Sequence, residues 1–430
     1  MKQITLSQIE NAFLPSREIT SADRFSGRKE HVLAAYLSLL ADGANIAILG
    51  NRGIGKSSLA RQILNISNGD NSLLDNLSIG YDSKMDFLSI YFACGNNIDS
   101  VSTLLTRLLT TQDCLYNWLY DIPSATKEVA KISGGLNLGI ISGGGEGTTE
   151  TTSNSSISQH TIETVFNNVL FELTKAALAK NGILIVIDEF DQIKDTNGFA
   201  ALLKSLATNN PSIKFCIVGV AHDIQNLMKE HESSDRLFAG GVVSLPRMNE
   251  DELKDIIAKA ESSIDRFITF DNGAIKKLLQ LAQGHPYMIH LLGKYSLREA
   301  YQNGYHTITE EHVNQTVQSI AEKGTDPVLE GRYKKAVASS PQREAVLKSF
   351  ATSIREDGEI PTSDAYKLTV DFDVENPSQY VGQLVTEDYG SELVKVRERY
   401  YRFRDSLFVA YINARPWIFP SANKFNNDGK

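Results

Sequence analysis

The stretch IAILGNRGIGKSSLARQIL, residues 46–64, decides the fold of this 430-residue chain. Its first four residues, Ile46–Leu49, are apolar and predict a short buried strand. After the glycines, Leu59, Ile63 and Leu64 recur with helical spacing. Between strand and helix, a glycine, four residues and then Gly-Lys-Ser match a phosphate-binding loop, which requires this context. The predicted phosphate-contacting residues are Gly50, Asn51, Arg52, Gly53, Ile54, Gly55, Lys56, Ser57 and Ser58.

The parts of such a loop have separate chemical roles. Glycines allow successive backbone N–H groups to turn toward a polyphosphate, and the following helix adds the partial positive charge of its N-terminus. The Lys56 ammonium would reach the outer phosphates, and the Ser57 hydroxyl would coordinate Mg²⁺. The loop therefore predicts a bound polyphosphate together with Mg²⁺.

An acidic run ends a second strongly apolar segment, GILIVIDEFDQI, residues 182–193. Its consecutive aliphatic residues predict a strand buried on both faces of a parallel sheet, whose carboxyl end opens into a site. Asp188 would hold Mg²⁺ through water while Ser57 holds it directly. Glu189 would orient an attacking water and accept its proton, and Asp191 is a second candidate base. A capping cluster at a strand-to-helix turn is the structural alternative for these acids.

Composition sets the broad class of protein. Apolar residues make up 42% and charged residues 22% of the chain, which is typical of globular proteins, and the length allows two to four domains. No apolar run approaches the length of a membrane span, and the first residues lack the pattern of a secretion signal. We therefore predict a cytoplasmic location and no membrane partner. The widely spaced Cys94, Cys114 and Cys216 favour small buried residues over a disulfide framework or a zinc site.

Strands alternate with helical segments over the first half of the chain. FLSIYFAC, residues 87–94, and KFCIVGVA, residues 214–221, predict two further strands. The alternation predicts an α/β fold with a doubly wound, mainly parallel sheet. Residues 132–159 are rich in Gly, Ser and Thr, and predict either a hairpin base with a mobile tip or a disordered insert. Residues 1–30 predict an irregular lead-in, and residues 249–323 predict helices throughout.

The last hundred residues predict three helices and a β-hairpin, which is the arrangement of a winged helix-turn-helix. Residues 331–430 carry 15 basic and 14 acidic residues, whereas the whole chain has a net charge of −9, so any nucleic-acid contact should be local. The predicted third helix contains Gln379, Tyr380 and Gln383 but no Lys or Arg. The hairpin supplies the candidates for contact with DNA or a partner protein, two alternatives that stay open: Lys395, Arg397, Arg399 and Arg402, with Arg404 beside them.

Three motifs in this order resemble a known family: the phosphate loop, the apolar strand with DEFD, and GHPYMIHLL at residues 284–292. The chain resembles the STAND and archaeal-type ATPases of the AAA+ lineage, relatives of origin-recognition-type initiators. FSGRKEH, residues 25–31, is similar to a family box near the adenine and ribose, which implies a nucleotide contact for Arg28. The Gly-x-Pro in GHPY implies another for Pro286. The resemblance implies ATP or ADP and Mg²⁺ as ligands of a P-loop NTPase core, followed by a helical lid and a winged helix.

The sequence departs from the family pattern in two places. In AAA+ relatives the strand after the acidic one ends in a polar residue that touches the γ-phosphate, whereas here only His222 or Asp223 lies nearby. The lid starts without a sensor arginine, which implies slow hydrolysis and sensing through the backbone around His285 and Pro286. The His285 side chain is expected in a solvated loop. Arg236 lies where such ATPases place an arginine that completes a neighbouring subunit's site; a surface arginine paired with a nearby acid is the alternative.

The predicted divisions are a lead-in over 1–30, an ATPase core over 31–246, a helical lid over 247–330, a winged helix over 331–415 and a tail over 416–430. The implied function is a switch that binds and hydrolyses ATP with Mg²⁺ and whose nucleotide state controls contacts with DNA, a partner protein or a second copy. The alternatives are a nucleotide-held scaffold without turnover and a DNA-binding initiator or regulator. Antiviral defence, replication and plasmid upkeep are settings that the resemblance implies.

Overall fold

The computed structural model describes residues 4–95, 97–119, 122–133, 159–220, 238, 240–324, 326–355 and 358–419. The chain forms two compact units, which we call the sheet unit and the helical unit. The sheet unit comprises Ile19–Gly50 and Lys56–Pro246, and the helical unit comprises Met1–Glu18, Asn51–Gly55 and Arg247–Lys430. Most of the predicted Gly-, Ser- and Thr-rich insert lies outside the described residues. Across the described ranges, every helix is too short or too polar to cross a bilayer.

A five-stranded parallel sheet forms the centre of the sheet unit. Its strand order is β2-β3-β4-β1-β5, with β1 at Ile46–Leu49, β2 at Phe87–Ala93, β3 at Gly182–Asp188, β4 at Ile213–Gly219 and β5 at Val242–Ser244. Every residue of β1, β3 and β4 is buried, as expected for parallel strands that are covered on both faces. The predicted α/β fold with a mainly parallel sheet is confirmed.

The helices of the sheet unit follow the strands in the alternation that the sequence predicts. In the described residues they are α2 (Lys29–Leu40), α3 (Lys56–Ser67), α4 (Ser72–Asn76), α5 (Val101–Thr110), α6 (Tyr116–Leu119), α7 (Pro123–Ser133), α8 (Gln159–Lys175) and α9 (Phe199–Asn209), numbered after α1 of the helical unit. After β2 the chain forms two separate helices, α5 and α6. Asp113 between them takes a left-handed φ of +67°, which an α-helix does not contain. The three cysteines are buried and free, as predicted.

The helical unit includes a short N-terminal helix, α1 (Leu6–Glu10), where the sequence predicted an irregular lead-in. A reciprocal capping box between Thr5 and Gln8 starts this helix. The Phe13 ring beyond it packs so closely on Gly293 that a Cβ at Gly293 would lie 2.5 Å from the ring. The prediction missed α1 because it is barely more than one turn long and is held by tertiary packing.

Four longer helices form the predicted lid segment of this unit, with a two-stranded parallel ladder beside them. They are α10 (Glu250–Ser263), α11 (Asn272–Ala282), α12 (Pro286–Asn303) and α13 (Glu310–Lys323), and the ladder joins β6 (Thr269–Phe270) to β7 (Thr307–Ile308). Asn249 and Thr309 each start a helix with a capping box. The prediction of helices throughout is therefore correct apart from the short ladder.

The C-terminal part of the helical unit is a winged helix-turn-helix. Its elements are α14 (Pro327–Val337), α15 (Pro341–Thr352), α16 (Thr362–Val370), α17 (Pro377–Leu384), α18 (Ser406–Ala414), β8 (Ile360–Pro361), β9 (Leu393–Arg397) and β10 (Tyr400–Phe403). Strands β9 and β10 form the predicted antiparallel hairpin, and β8 pairs with β10. The predicted winged helix is confirmed as part of the fold, and the exact divisions along the chain stay predictions.

Candidate nucleotide-binding site

The register of the sheet brings the ends of β1 and β3 to one edge. Strand β4 lies between them, and its Cys216 is the parallel partner of both Ile46 in β1 and Val186 in β3. Because neighbouring strands are about 4.8 Å apart, the β1 and β3 backbones are separated by about 10 Å. Asp188 is the last residue of β3 and Gly50 directly follows β1. The phosphate loop and the acidic run therefore leave the sheet at the same edge, with β4 between them.

The phosphate loop ends where α3 begins, at Lys56, so Ser57 and Ser58 lie in the first helical turn. Gly55 has a left-handed φ of +98°, and no atom of the described residues lies within 4 Å of the place where its Cβ would project. That space leaves its backbone accessible to a ligand, as a phosphate cradle requires. The Ser58 hydroxyl already accepts a hydrogen bond from the Ile19 N–H at 3.0 Å, and Ile54 is buried. The Ile54 side chain is thus part of the core, so only its backbone could contact a phosphate.

The tip of the loop belongs to the helical unit. There the Tyr287 N–H donates to the Gly53 carbonyl oxygen at 3.4 Å. Gly53 has a φ of +70°, and a Cβ at this position would lie 3.0 Å from Leu407 Cδ2 and 3.1 Å from Tyr287 Cβ. Within this unit, Gly53 therefore contacts the first turn of α12, which begins at the predicted residue Pro286.

Asp188 is the most firmly held acid of the predicted site. It is 4% exposed, and both carboxylate oxygens accept hydrogen bonds. The Tyr91 hydroxyl of β2 donates to Oδ2, and the Glu189 backbone N–H donates to Oδ1 at 2.8 Å. A buried carboxylate needs such donors to remain charged without a large desolvation cost. This bonding fixes the plane of the Asp188 carboxylate.

Glu189 and Asp191 leave the sheet on a strained turn. Glu189 is exposed and has a left-handed φ of +55°, which costs a non-glycine residue about 1–2 kcal/mol. The next residue, Phe190, is buried against Phe199, with ring centroids 5.2 Å apart, and this packing holds the turn. A Cβ at Gly219, the last residue of β4, would lie 3.4 Å from Asp191 Oδ1. The turn thus combines an exposed Glu189 carboxylate with an Asp191 that lies against the end of β4.

The buried Cys94 thiol lies near the acids that follow β3. Burial first, and then the carboxylates of Asp188, Glu189 and Asp191, raise the pKa of Cys94 to about 12. The Cys94 N–H also donates to the Asp188 carbonyl oxygen at 2.9 Å. The three carboxylates therefore lie close enough to Cys94 to act on its thiol.

The residues present fit a magnesium nucleotide. Mg²⁺ takes oxygen ligands and usually binds through one or two carboxylates together with substrate phosphates. Ser57 at the start of α3 and Asp188 at the end of β3 supply a hydroxyl and a buried carboxylate from the same unit. The open space at Gly55 would accommodate phosphate oxygens. The roles of these residues stay predictions.

The other predicted site residues have mixed positions. Arg28 is 4% exposed and precedes α2 with a left-handed φ of +61°. His222, Asp223 and Arg236 lie outside the described residues. The expectation of a solvated His285 is wrong, because this side chain is completely buried. The sequence correctly predicted that His285 lies outside a helix, but it did not predict that other residues cover its side chain.

His285 precedes α12 and has an unusual environment. Burial first, and then the Arg247 guanidinium, lower its pKa to about 4, against an opposing effect of Asp405. Neither ring nitrogen has a hydrogen-bond partner among the described residues. Gly284 before it has a φ of +81°, and a Cβ there would lie 2.6 Å from Arg247 Cβ. His285 is therefore neutral at physiological pH.

The basic residues of the winged-helix hairpin are exposed. Lys395, Arg399 and Arg402 stand on or beside β9 and β10. Arg397 differs from them, since its Nη2 lies 2.7 Å from Glu359 Oε2 and its Cζ lies 3.8 Å from the Tyr400 ring centroid. Its charge is thus partly neutralised by an acid of the same unit.

Comparison with known proteins matches this architecture. Residues 14–325 match the family model described as Novel STAND NTPase 1. The Walker-type ATPase PABY2304 of Pyrococcus abyssi is 16% identical, with a TM-score of 0.53, and the match covers 92% of this chain and 98% of that one. ORC2 of Aeropyrum pernix, solved as ADPNP-ADP complexes, is 14% identical, with a TM-score of 0.45 and coverage of 95% and 97%. Cdc6p from Pyrobaculum aerophilum is 12% identical, with a TM-score of 0.43 and coverage of 94% and 96%. No curated protein matches the sequence significantly.

Proposed function

Because the chain belongs to the Novel STAND NTPase 1 family, we propose that it is an ATP-hydrolysing molecular switch. The observation that carries this proposal is the common edge of the sheet, where the phosphate loop follows β1 and Asp188 ends β3. The bonded Asp188 carboxylate and the exposed Glu189 are suited to two different tasks. One holds negative charge in a fixed place, and the other can take up a proton.

Each residue would contribute through its own chemistry. The Lys56 ammonium would hold the outer phosphates, and the first N–H groups of α3 would bind phosphate oxygens. Ser57 and Asp188 would hold Mg²⁺, which supplies neutralisation of phosphate charge. Glu189 would orient a water molecule and accept its proton. Asp191 remains a second candidate base, since it lies against the end of β4 at Gly219.

Phosphate release and nucleotide binding test this proposal together. Wild type should bind ATP in the presence of Mg²⁺ and release phosphate. Lys56→Ala should lose at least about tenfold in ATP affinity because a charge-assisted contact is removed. Glu189→Gln should keep ATP affinity but lose at least about 100-fold in turnover, since the amide cannot accept the proton. Lys84→Ala, at an exposed position of the same unit, is the control for the loss of a lysine.

A nucleotide-held scaffold without turnover is a second candidate. The sequence after β4 supports it, because only His222 or Asp223 is near the place where AAA+ relatives are expected to have a polar residue that touches the γ-phosphate. A site without that contact would bind ATP and hydrolyse it slowly. If wild type and Glu189→Gln bind ATP equally and neither releases phosphate, the scaffold replaces the enzyme.

The output of the switch would be a contact of the winged helix. The exposed Lys395, Arg399 and Arg402 support contact with a polyanion such as duplex DNA. Helix α17 offers no basic residue, which supports a partner protein or a second copy instead. Duplex binding that weakens steeply with salt would favour DNA, and its absence at low salt would favour protein.

A further inference from the structure

Tyr91 and Arg61 connect the two residues predicted to hold the metal. Tyr91 lies near the carboxyl end of β2, and its parallel partner in β3 is Val186, two residues before Asp188. From there its hydroxyl donates to Asp188 Oδ2. The Arg61 guanidinium lies over the Tyr91 ring, with Cζ 3.4 Å from the ring centroid.

Arg61 in turn lies on the helix that carries the other predicted ligand. Ser57 and Arg61 are four residues apart in α3, and side chains with this spacing are neighbours on one face of a helix. Arg61 thus shares a helix face with Ser57 and contacts the Tyr91 ring, and the Tyr91 hydroxyl contacts Asp188. All four residues belong to the sheet unit.

The Tyr91 hydroxyl has a purpose that packing alone does not explain. A phenylalanine would keep the ring on the sheet and under the Arg61 guanidinium, whereas only the hydroxyl reaches the carboxylate. With Glu189 N–H on Oδ1 and Tyr91 on Oδ2, rotation of the carboxylate is blocked from both sides. A carboxylate that is already fixed loses less conformational entropy when it binds a cation.

We propose that Tyr91, braced by Arg61, is a positioning residue that presets Asp188 for the divalent cation of the bound nucleotide. This inference rests on the proposed ATP site but names residues that the site prediction omits. The Tyr91 hydroxyl should affect the affinity of the site for the metal and should leave the affinity for metal-free nucleotide unchanged. Hydrogen-bonding partners of metal-binding residues typically change metal affinity about 10- to 100-fold when they are removed.

A Tyr91 hydroxyl that competes with the cation would have the opposite effect on metal affinity. If the Tyr91 hydroxyl merely occupied Oδ2 in the absence of metal, it would compete with the cation and its water. Removing the hydroxyl would then tighten metal binding. The direction of the change separates a positioning residue from a competing one.

The test measures metal and nucleotide affinities separately on the full chain. Mn²⁺ binding in the presence of a non-hydrolysable ATP analogue is followed by electron paramagnetic resonance, and binding of the analogue alone is followed by calorimetry in EDTA. Tyr91→Phe should raise the half-saturating Mn²⁺ concentration about tenfold and leave metal-free affinity within about twofold. Arg61→Ala should raise it less, because the hydroxyl is retained.

Tyr81→Phe is the matched control, since the Tyr81 hydroxyl donates to Asp75 Oδ1 at 3.0 Å on the surface of the same unit. This variant should bind Mn²⁺ as wild type does. Unchanged or tighter Mn²⁺ binding by Tyr91→Phe overturns the positioning role while the ATP site stands. Equal losses in metal-bound and metal-free affinity also overturn it, because they indicate a general structural defect. A wild type that binds neither analogue nor metal removes the ATP site and this inference together.

Discussion

Two buried polar side chains, Asp188 in the sheet unit and His285 in the helical unit, have opposite surroundings. Asp188 is 4% exposed and accepts a hydrogen bond at each carboxylate oxygen. His285 is 0% exposed, and among the described residues neither of its ring nitrogens is hydrogen-bonded. Both residues come from motifs that the family resemblance singled out. They therefore allow a direct comparison of what burial does to a functional residue.

The difference shows which of the two can carry charge. A buried charged group needs donors or a counter-charge, and Asp188 has donors on both sides. Neither ring nitrogen of His285 has a hydrogen-bond acceptor among the described residues. Burial and then Arg247 lower its pKa to about 4 against the opposing effect of Asp405, so it stays uncharged. The sheet edge thus holds a carboxylate with both oxygens hydrogen-bonded, whereas the residue before α12 is a neutral imidazole. Three predictions test this contrast.

The largest effect is expected for Asp188→Asn. The amide keeps the shape of the side chain but removes its charge, and its NH₂ group cannot accept a hydrogen bond from Tyr91 or Glu189. We expect Mg²⁺-dependent phosphate release to fall at least about 100-fold, because electrostatic contacts of this kind contribute several kcal/mol to the transition state.

A matched variant for this experiment is Asp75→Asn, which breaks the surface contact with Tyr81. It should leave phosphate release within about twofold, as surface substitutions usually do. If Asp188→Asn retained more than a tenth of wild-type turnover, the Asp188 charge would not be needed. The difference in hydrogen bonding between Asp188 and His285 would then be unrelated to phosphate release.

Much of this edge of the sheet could be predicted from the sequence. The phosphate loop is a local pattern, and a run of aliphatic residues before Asp188 indicates a buried parallel strand without knowledge of the partners. The carboxyl ends of parallel strands lie along one edge of a sheet, so Asp188 and the loop were expected at the same edge. Local patterns therefore located the two ends of the site.

The tertiary contacts of the site could not be predicted in this way. Tyr91 reaches Asp188 only because β2 pairs with β3 in one register, and a sequence does not state which strands pair. The sequence signal that could have indicated the contact between Tyr91 and Asp188 is the position of Tyr91 near the carboxyl end of the predicted strand β2. The lowered pKa of His285 depends in part on Arg247, which is 38 residues away in sequence. Helix α1 was missed for the same reason, since packing holds it.

A smaller effect is expected from the pH dependence of stability. The folded state keeps His285 neutral down to a pKa of about 4, whereas the unfolded chain takes up this proton below pH 6.5. The contribution of His285 is thus complete above pH 6.5 and is lost as pH falls toward 4. The loss in the free energy of unfolding should reach about 3 kcal/mol at the acid end.

His285→Leu isolates this contribution, because Leu has no proton to bind. The difference in unfolding free energy between wild type and His285→Leu should shift against wild type as pH falls from 7 to 4. Urea unfolding followed by tryptophan fluorescence measures it in a Trp118→Phe background, where Trp417 of the helical unit is the remaining tryptophan. Parallel pH profiles of the two proteins would show that His285 finds a partner that stabilises its charged form.

The smallest effect is expected on the winged-helix hairpin, where the same contrast between bonded and exposed groups recurs. Arg397 and Arg402 are both exposed, but Arg397 is paired with Glu359 and stacked on Tyr400. A charge that is already neutralised displaces fewer counterions from DNA. Arg402→Ala should therefore lower the slope of log affinity against log salt by about 1 for a fluorescent duplex, and Arg397→Ala by less than half of that.

Equal slope changes would mean that the pairing with Glu359 breaks when DNA binds, and Glu359→Gln should then leave duplex affinity higher than in wild type.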